Sequence, residues 1–216
     1  SREKCAPLAE LGTSCPDHFL RTKVKPMVLD LPATASVEEQ TERLKQLHAE
    51  YRDGYRAYYE AYADEQSPPM RGADPLIVLV PGVGMFSFGA NKQTARVAGE
   101  FYVNAINVMR GAEALSTYAP ISDAEKFRIE YWALEEAKLQ RMPKPKSLAG
   151  RIAFITGGAG GIGSATAVRY LQEGAVVVLA DIDQGALDGR VEELGKRFGK
   201  DNVRGVIANV TSEAQT

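Results

Sequence analysis

The chain has 216 residues, of which 44% are apolar, 25% charged and 8% aromatic. This composition is typical of a globular protein with one large or two small domains, and it excludes a disordered tail, a collagen and a disulfide scaffold. The 26 basic and 28 acidic side chains give a formal charge of −2, so a nucleic-acid partner has no electrostatic support. The apolar runs are too short for a membrane span, and the first residues of the given sequence do not resemble a signal peptide. Cys5 and Cys15 fit neither a zinc site nor a redox pair, so a reducing, cytoplasmic compartment is expected.

Residues 1–146 are predicted to be mostly helical around one small β element. Residues 1–35 look irregular, apart from a short strand within Met27–Leu31. A capping box, Ser36 with Glu39, predicts a helix that ends near Asp64. Apolar residues follow one face of this helix: Leu44, Leu47, Tyr51, Tyr55, Tyr58 and Tyr62. This tyrosine stripe is expected to pack on its own domain. The alternative is a subunit contact, because tyrosine is enriched at interfaces that are partly exposed to water.

The rest of the first part is predicted to be a hairpin followed by two helices. The elements are the strands Leu76–Val80 and Met85–Phe88, a helix over Thr94–Ala114, and a helix from Ser122 to Met142 with Glu125 completing its capping box. Pro143–Lys146 contains two prolines, which stop a helix and favour an extended link. The sequence therefore predicts a domain boundary here, between residues 1–146 and 147–216.

The most informative segment is a strand, a glycine loop, a helix and a second strand within residues 152–181. Ile152–Thr156 leads into Gly157-Gly158-Ala159-Gly160-Gly161-Ile162-Gly163, and the helix runs to about Gln172. A second buried strand, Ala175–Ala180, ends at Asp181. This order is that of the βαβ unit that binds dinucleotides. The alternative is a merely structural glycine turn.

Each residue of this fingerprint has a physical task. Gly157 lets the chain turn sharply out of the strand, Gly161 lets the backbone approach a pyrophosphate, and Gly163 lets the helix pack against the sheet. The helix N-terminus offers free N–H groups to the phosphates. Asp181 can accept hydrogen bonds from both adenosine ribose hydroxyls. Its carboxylate would repel a 2′-phosphate, and neither the loop nor Ile182 supplies a cation, so NAD is predicted rather than NADP.

The pattern Thr-Gly-x-x-x-Gly-x-Gly at Thr156–Gly163 resembles the cofactor loop of the short-chain dehydrogenase/reductase family. A third strand, Arg204–Ala208, leads to Asn209 and Val210, where family members usually have Asp-Val with the acid on the adenine amino group. Asn209 could accept that bond through its amide oxygen, or it could be a strand-end turn residue. The predicted cofactor-binding residues are Gly157, Gly161, Ile162, Gly163, Asp181, Ile182, Asn209 and Val210.

The family's catalytic residues have no counterpart in this sequence. The resemblance implies a Tyr-x-x-x-Lys pair and a nearby Ser beyond the third strand, but none of the nine tyrosines is followed by Lys four residues later. Only three of the usual six strands can be built, which leaves a central strand as an open edge. We therefore predict an α/β chain, an α-rich linker domain followed by a partial Rossmann fold (a doubly wound parallel sheet), that is a piece of a longer polypeptide and contains no catalytic residue.

Four segments of the first part resemble bifunctional class II aldolase/short-chain dehydrogenase proteins. They are Gly12–Lys23, Leu79–Met85, Met109–Ala114 and Ile129–Trp132. Members are described as rhamnulose-1-phosphate aldolase/lactaldehyde dehydrogenases. The resemblance implies rhamnose catabolism, in which a ketose phosphate undergoes aldol cleavage and the lactaldehyde formed is oxidised with NAD.

The residues of this chain do not support the aldolase step. A class II aldolase holds a divalent metal with several histidines, whereas only His18 and His48 occur, so no metal site is predicted. His18, beside Cys15, Asp17 and Lys23, is either a weak candidate site or a local turn residue. Two other functions stay open: a non-catalytic dinucleotide-binding or scaffold protein, and a carbohydrate-phosphate lyase with the dehydrogenase part as an appendage. The expected partners are a small-molecule substrate and further copies of the chain in a homo-oligomer, with no nucleic acid and no membrane.

Overall fold

Two separate units make up the computed structural model, residues 1–142 and residues 143–216. The model describes residues 2–32 and 34–215, without the side chains of residues 2–5, 17 and 215. Cys5 and Asp17, which the sequence singled out, therefore have side chains outside the described part. The predicted α/β class is confirmed, with a helix-rich first unit and a parallel sheet in the second. Within the described ranges, no helix is both long and apolar enough to span a bilayer.

The described part of the first unit contains six helices and a small sheet. The helices are α1 (Arg2–Leu11), α2 (Phe19–Thr22), α3 (Val37–Tyr62), α4 (Lys92–Leu115), α5 (Asp123–Glu130) and α6 (Ala133–Gln140). The strands are β1 (Met27–Val28), β2 (Ile77–Val80) and β3 (Gly84–Ser87), in the order β1-β2-β3. The β1 strand runs parallel to β2, and β3 pairs with β2 as an antiparallel hairpin. One face of this sheet packs on α4 through Ile77, Leu79, Tyr102 and Ala105.

The tyrosine stripe of α3 lies against α5, as the packing interpretation predicted. The Ser36–Glu39 capping box forms in both directions and starts the helix at Val37. The ring of Tyr58 meets Phe127 edge-on with the ring centres 5.8 Å apart, and the Tyr62 ring lies 6.1 Å from the same Phe127 ring. Tyr55 is therefore in the core of its own unit with Tyr58 packed against that core, whereas Tyr62 at the end of the stripe is 41% exposed.

Two predictions for the first unit were wrong. Residues 1–35 are not irregular, because α1 forms although Pro7 lies inside it, and Ala9 is buried in the α4 core. The single helix predicted over 122–142 is two helices, α5 and α6. Tyr131 leaves helical geometry at φ −109° and is buried on Phe127 with ring centres 4.7 Å apart. Burial of this ring decides the break, which helix propensity alone does not show.

The second unit is a three-stranded parallel sheet with two helices. Its elements are β4 (Ile152–Thr156), α7 (Gly161–Gln172), β5 (Val176–Asp181), α8 (Gln184–Phe198) and β6 (Val203–Ile207), and the strand order is β4-β5-β6. The core lies between the sheet and both helices and includes Ile155, Ala167, Leu171, Val177, Leu179, Leu187 and Leu194. Alternate residues of β4, Ile152 and Phe154, are exposed on the opposite face. This face of the described sheet carries no helix of its own unit.

Candidate functional site

Gly157 and Gly163 shape the glycine loop between β4 and α7, because a side chain at either position would cause strain. Gly157 has a φ of 62°, which turns the chain out of the strand, and its carbonyl oxygen accepts the Gly160 N–H at 3.1 Å. A Cβ on Gly163 would lie 2.2 Å from the Gly157 oxygen. By contrast, a Cβ on Gly161 would meet no atom within 4 Å. The loop is therefore tightly packed at Gly163, whereas the space next to the Gly161 Cα is free for a ligand.

The first turn of α7 presents backbone N–H groups to this open side. The helix hydrogen bonds begin with the Ser164 N–H, which donates to the Gly160 oxygen at 2.9 Å. The N–H groups of Gly161, Ile162 and Gly163 have no acceptor among the residues that the structure describes. Unpaired N–H groups and the positive end of the helix dipole favour an anion at this place. The geometry fits a pyrophosphate.

Asp181 is fixed at the carboxyl end of β5 by backbone donors. Its Oδ2 accepts the Ala159 N–H at 3.1 Å, and its Oδ1 accepts the N–H groups of Ile182 at 2.8 Å and Asp183 at 3.3 Å. These bonds, the one from Asp183 foremost, hold the pKa of the carboxyl below its usual value, so Asp181 is ionised at neutral pH. No lysine or arginine of the described residues forms an ion pair with it. The bond from Ala159 also ties the glycine loop to β5, a contact that the sequence analysis did not foresee.

The end of β6 lies beside Asp181. The Ala208 N–H donates to the Asp181 carbonyl oxygen at 3.1 Å, which brings Asn209 and Val210 to the same edge of the sheet. The Asn209 side-chain oxygen accepts two hydrogen bonds from Thr211, from its N–H at 3.0 Å and its hydroxyl at 2.8 Å. Those bonds favour the turn role of Asn209 over an adenine contact through the same oxygen.

The eight predicted cofactor-binding residues thus lie together at the carboxyl ends of three parallel strands, the usual place of a ligand crevice in such sheets. Two of them, Ile162 and Ile182, expose 88% and 72% of their surface. A bound ring system would cover these exposed apolar side chains and remove them from water. They are therefore suited to contact a base or a ribose.

Neither histidine belongs to a group of possible metal ligands among the side chains that the structure describes. His18 is buried, with its ring 4.7 Å from the Phe101 ring, and it lies in the short 3-10 turn Pro16–His18 that leads into α2. His48 lies on α3 with Nε2 2.9 Å from an Asp74 oxygen. Across the described ranges, no three His, Cys, Asp or Glu side chains come close enough to share a metal ion.

A buried polar cluster in the first unit was missed by the sequence analysis. The Lys23 Nζ donates to the carbonyl oxygens of Arg71 (3.1 Å) and Gly72 (2.6 Å), and it lies 3.9 Å above the centre of the Tyr55 ring. The Tyr55 hydroxyl donates to Glu130 Oε1 at 2.5 Å and is 2.7 Å from the Tyr131 hydroxyl. Glu130 is 2% exposed, and its Oε1 lies 4.0 Å from Lys23 Nζ. No spacing in the sequence could have revealed this cluster, since Lys23 and Glu130 are far apart in the chain.

Burial sets the charge of this cluster. Desolvation lowers the pKa of the Lys23 amine to about 8, against the attraction of Glu130. Desolvation also raises the pKa of the Glu130 carboxyl, although the Tyr55 hydroxyl bond works in the opposite direction. Lys23 further has a φ of 63°, which side-chain-bearing residues rarely adopt and which costs about 1–3 kcal/mol. The surrounding contacts hold this strain in place.

Comparison with known families assigns both units. Residues 1–139 match the family model described as aldolase class II, second domain, and residues 151–216 match the short chain dehydrogenase model. The chain belongs to the class II aldolase second-domain family. Its final segment adds a domain of the short-chain dehydrogenase type, so the resemblance to bifunctional aldolase/dehydrogenase proteins is confirmed.

The chain is similar to parts of several individual proteins. The chain is 34% identical over 207 residues to the uncharacterized oxidoreductase YuxG of Bacillus subtilis (strain 168), covering 95% of this chain and 30% of that protein. It is 43% identical over 68 residues to the 3-oxoacyl-[acyl-carrier-protein] reductase FabG of Thermotoga maritima, covering 32% of this chain and 27% of that one. Among solved structures, an NAD complex of a short chain dehydrogenase/reductase from Burkholderia phymatum has 35% identity and a TM-score of 0.29, covering 34% of this chain and 25% of that one. The chain thus spans less than a third of the length of these relatives.

Proposed function

We propose that the second unit forms the adenosine-binding half of an NAD-dependent oxidoreductase of the short-chain dehydrogenase type. The observation that carries this proposal is the ionised Asp181 carboxylate, held beside the glycine loop and without an ion pair to any described cation. The α7 N-terminus would hold the pyrophosphate, and Asp181 would accept the ribose hydroxyls. NAD, when bound, supplies the nicotinamide that accepts a hydride.

The choice of NAD rests on charge. A 2′-phosphate on the adenosine ribose would have to lie next to the Asp181 carboxylate, without a described lysine or arginine to compensate for it. The repulsion energy between two close charges is larger at a half-buried position than in bulk water. NADP should therefore bind more weakly than NAD.

Titration calorimetry of both cofactors against the 216-residue chain tests this proposal. Wild type should bind NAD more tightly than NADP. The difference in affinity between the two cofactors should be smaller in Asp181→Ala and in Asp181→Asn. The asparagine variant keeps a side-chain acceptor for the loop N–H groups. Asp188→Ala, on the exposed face of α8, is the matched control and should leave the gap unchanged. Equal or stronger NADP binding by wild type would overturn the role of Asp181.

For the substrate, we propose oxidation of a small aldehyde, lactaldehyde in the first instance, in a bifunctional protein that also cleaves a ketose phosphate. The aldolase-type first unit supports this pairing, because it adjoins the dehydrogenase segment in one chain. The proton-transfer residues of the oxidation and the metal ligands of the cleavage would lie outside these 216 residues. No Tyr-x-x-x-Lys pair occurs in the sequence, and the described residues hold no metal-ligand cluster.

A further inference from the structure

A cavity of about 660 Å³ opens in the first unit at the turn of the β2–β3 hairpin. Its walls come from α1, from the hairpin and from the second half of α4. They include Leu8, Leu79, Met85, Ile106 and Met109. The volume lies within the range of roughly 300–1,000 Å³ that is usual for small-molecule sites. The cavity lies in a different unit from the dinucleotide site.

The cavity arises because α4 is longer than the sheet on which it packs. At about 1.5 Å per residue, its 24 residues extend well beyond two strands of four residues each. Gly99, near the start of α4, lies against Ser87 and Met85, so the helix runs past β3 toward the hairpin turn and beyond it. Leu8 and Ala9 of α1 line the cavity together with Ile106 and Met109 from the second half of α4. An apolar cavity remains beneath the overhang.

Two charged side chains line this cavity, and they differ in their bonding. The Glu113 carboxylate accepts the Tyr118 N–H at 2.8 Å. Arg110, three residues earlier on α4, has neither an ion pair nor a hydrogen bond with any residue that the structure describes. Arg110 is the one cation among the described lining residues, and its guanidinium is left to pair with a bound anion.

We propose that this cavity binds an amphipathic anion, a carboxylate with an alkyl chain of medium length. The chain would lie against Leu79, Met85 and Met109, and the carboxylate would pair with the Arg110 guanidinium at the mouth. Buried methylene groups supply most of the binding free energy, so each added CH₂ tightens binding by about fourfold until the cavity is full. The exposed guanidinium adds about two- to fivefold, as is usual for a solvated ion pair, and it selects the sign of the head group.

Titration calorimetry of the full chain with hexanoate, octanoate and decanoate tests the proposal, with decyltrimethylammonium as the ligand of equal tail and opposite charge. Affinity should rise along the carboxylate series, and decanoate should bind more tightly than the cation. Arg110→Gln should weaken decanoate two- to fivefold and reduce the preference for the anion. Arg96→Gln, an exposed arginine of α4 outside the cavity lining, is the matched control and should change neither.

A second variant tests the location. Ala114 is exposed and lines the cavity mouth, so Ala114→Phe adds a ring there without displacing a packed side chain, and it should weaken every carboxylate of the series. Circular dichroism of both variants checks that α4 is intact. The proposal is overturned if decanoate does not bind, if chain length has no effect, or if a folded Arg110→Gln variant binds decanoate and decyltrimethylammonium as wild type does.

Discussion

Gly161 and Gly163 lie two residues apart in the same glycine loop, and replacing each by alanine should have opposite consequences. A Cβ at Gly163 would be 2.2 Å from the Gly157 oxygen and 2.9 Å from the Gly158 Cα, so the backbone must move by about 1 Å. Strain of this kind costs about 1–3 kcal/mol. A unit of this size loses about 4–8 °C in Tm per kcal/mol, so Gly163→Ala should melt several degrees below wild type.

Gly161→Ala should leave stability intact and remove binding. Its Cβ meets no atom within 4 Å, and alanine favours the first turn of α7 by up to about 1 kcal/mol over glycine. The methyl group would, however, occupy the space next to the free N–H groups where the pyrophosphate is proposed to lie. NAD affinity should fall by at least about tenfold, because the phosphates lose their closest approach to those donors.

Calorimetric melting and NAD titration of the two variants separate the two roles. The expected pattern is a stable protein with weak NAD binding for Gly161→Ala and a lowered Tm for Gly163→Ala. Wild-type NAD affinity in Gly161→Ala would refute the position of the pyrophosphate. An unchanged Tm in Gly163→Ala would refute the loop geometry on which that position depends.

Three further predictions concern the buried cluster and the missing chemistry. The Lys23 pKa of about 8 lies below its usual 10.5, so the unfolded chain binds more protons than the folded chain between these two values. The free energy of unfolding should therefore rise with pH in that window, and urea unfolding of Lys23→Met should show a weaker rise. An unchanged pH dependence in the variant would contradict the assignment. Tyr55→Phe leaves Glu130 without its donor and should cost about 1–3 kcal/mol, more than Tyr59→Phe, which loses one bond to the Pro68 oxygen; equal losses in urea unfolding would argue against the cluster. The 216-residue chain should form no NADH from lactaldehyde and NAD, and a steady rise in absorbance at the NADH band would point to catalytic residues within it.

Local signals in the sequence predicted the elements that depend on local contacts. The Ser36–Glu39 capping box set the start of α3, and the glycine loop with Asp181 set the order β4, α7, β5. These signals act over a few residues, through caps, glycine conformations and alternating burial, so they can be read without knowing the fold.

The features that were missed depend on contacts between distant residues. The α1 helix forms because Ala9 is buried against a core built around α4, and the break between α5 and α6 follows from the burial of Tyr131. The pairing of Lys23 with Glu130 joins the end of α2 to the end of α5. Such contacts have no periodicity, so the sequence contains no pattern from which to predict them.

For the candidate site, the sequence predicted residues that the structure brings to one edge of the sheet, but it did not predict their hydrogen bonds. The positions of Gly161 and Asp181 were predictable from the fingerprint. The bond from the Ala159 N–H to Asp181 and the bonds from Thr211 to Asn209 were not, because side-chain acceptors compete for backbone donors only once the loops are in place. Of the two roles that the sequence left open for Asn209, the bonds from Thr211 favour the turn residue.

Amide hydrogen exchange of the chain with and without NAD tests the central claim most directly. The N–H groups of Gly161, Ile162 and Gly163 have no described acceptor, so they should exchange fast in the free chain and slow markedly when the pyrophosphate accepts them. Ile162 should show this most clearly, together with slower exchange at Ile182 beside the ribose site. Unchanged exchange across residues 161–163 at saturating NAD would contradict the proposed cofactor site.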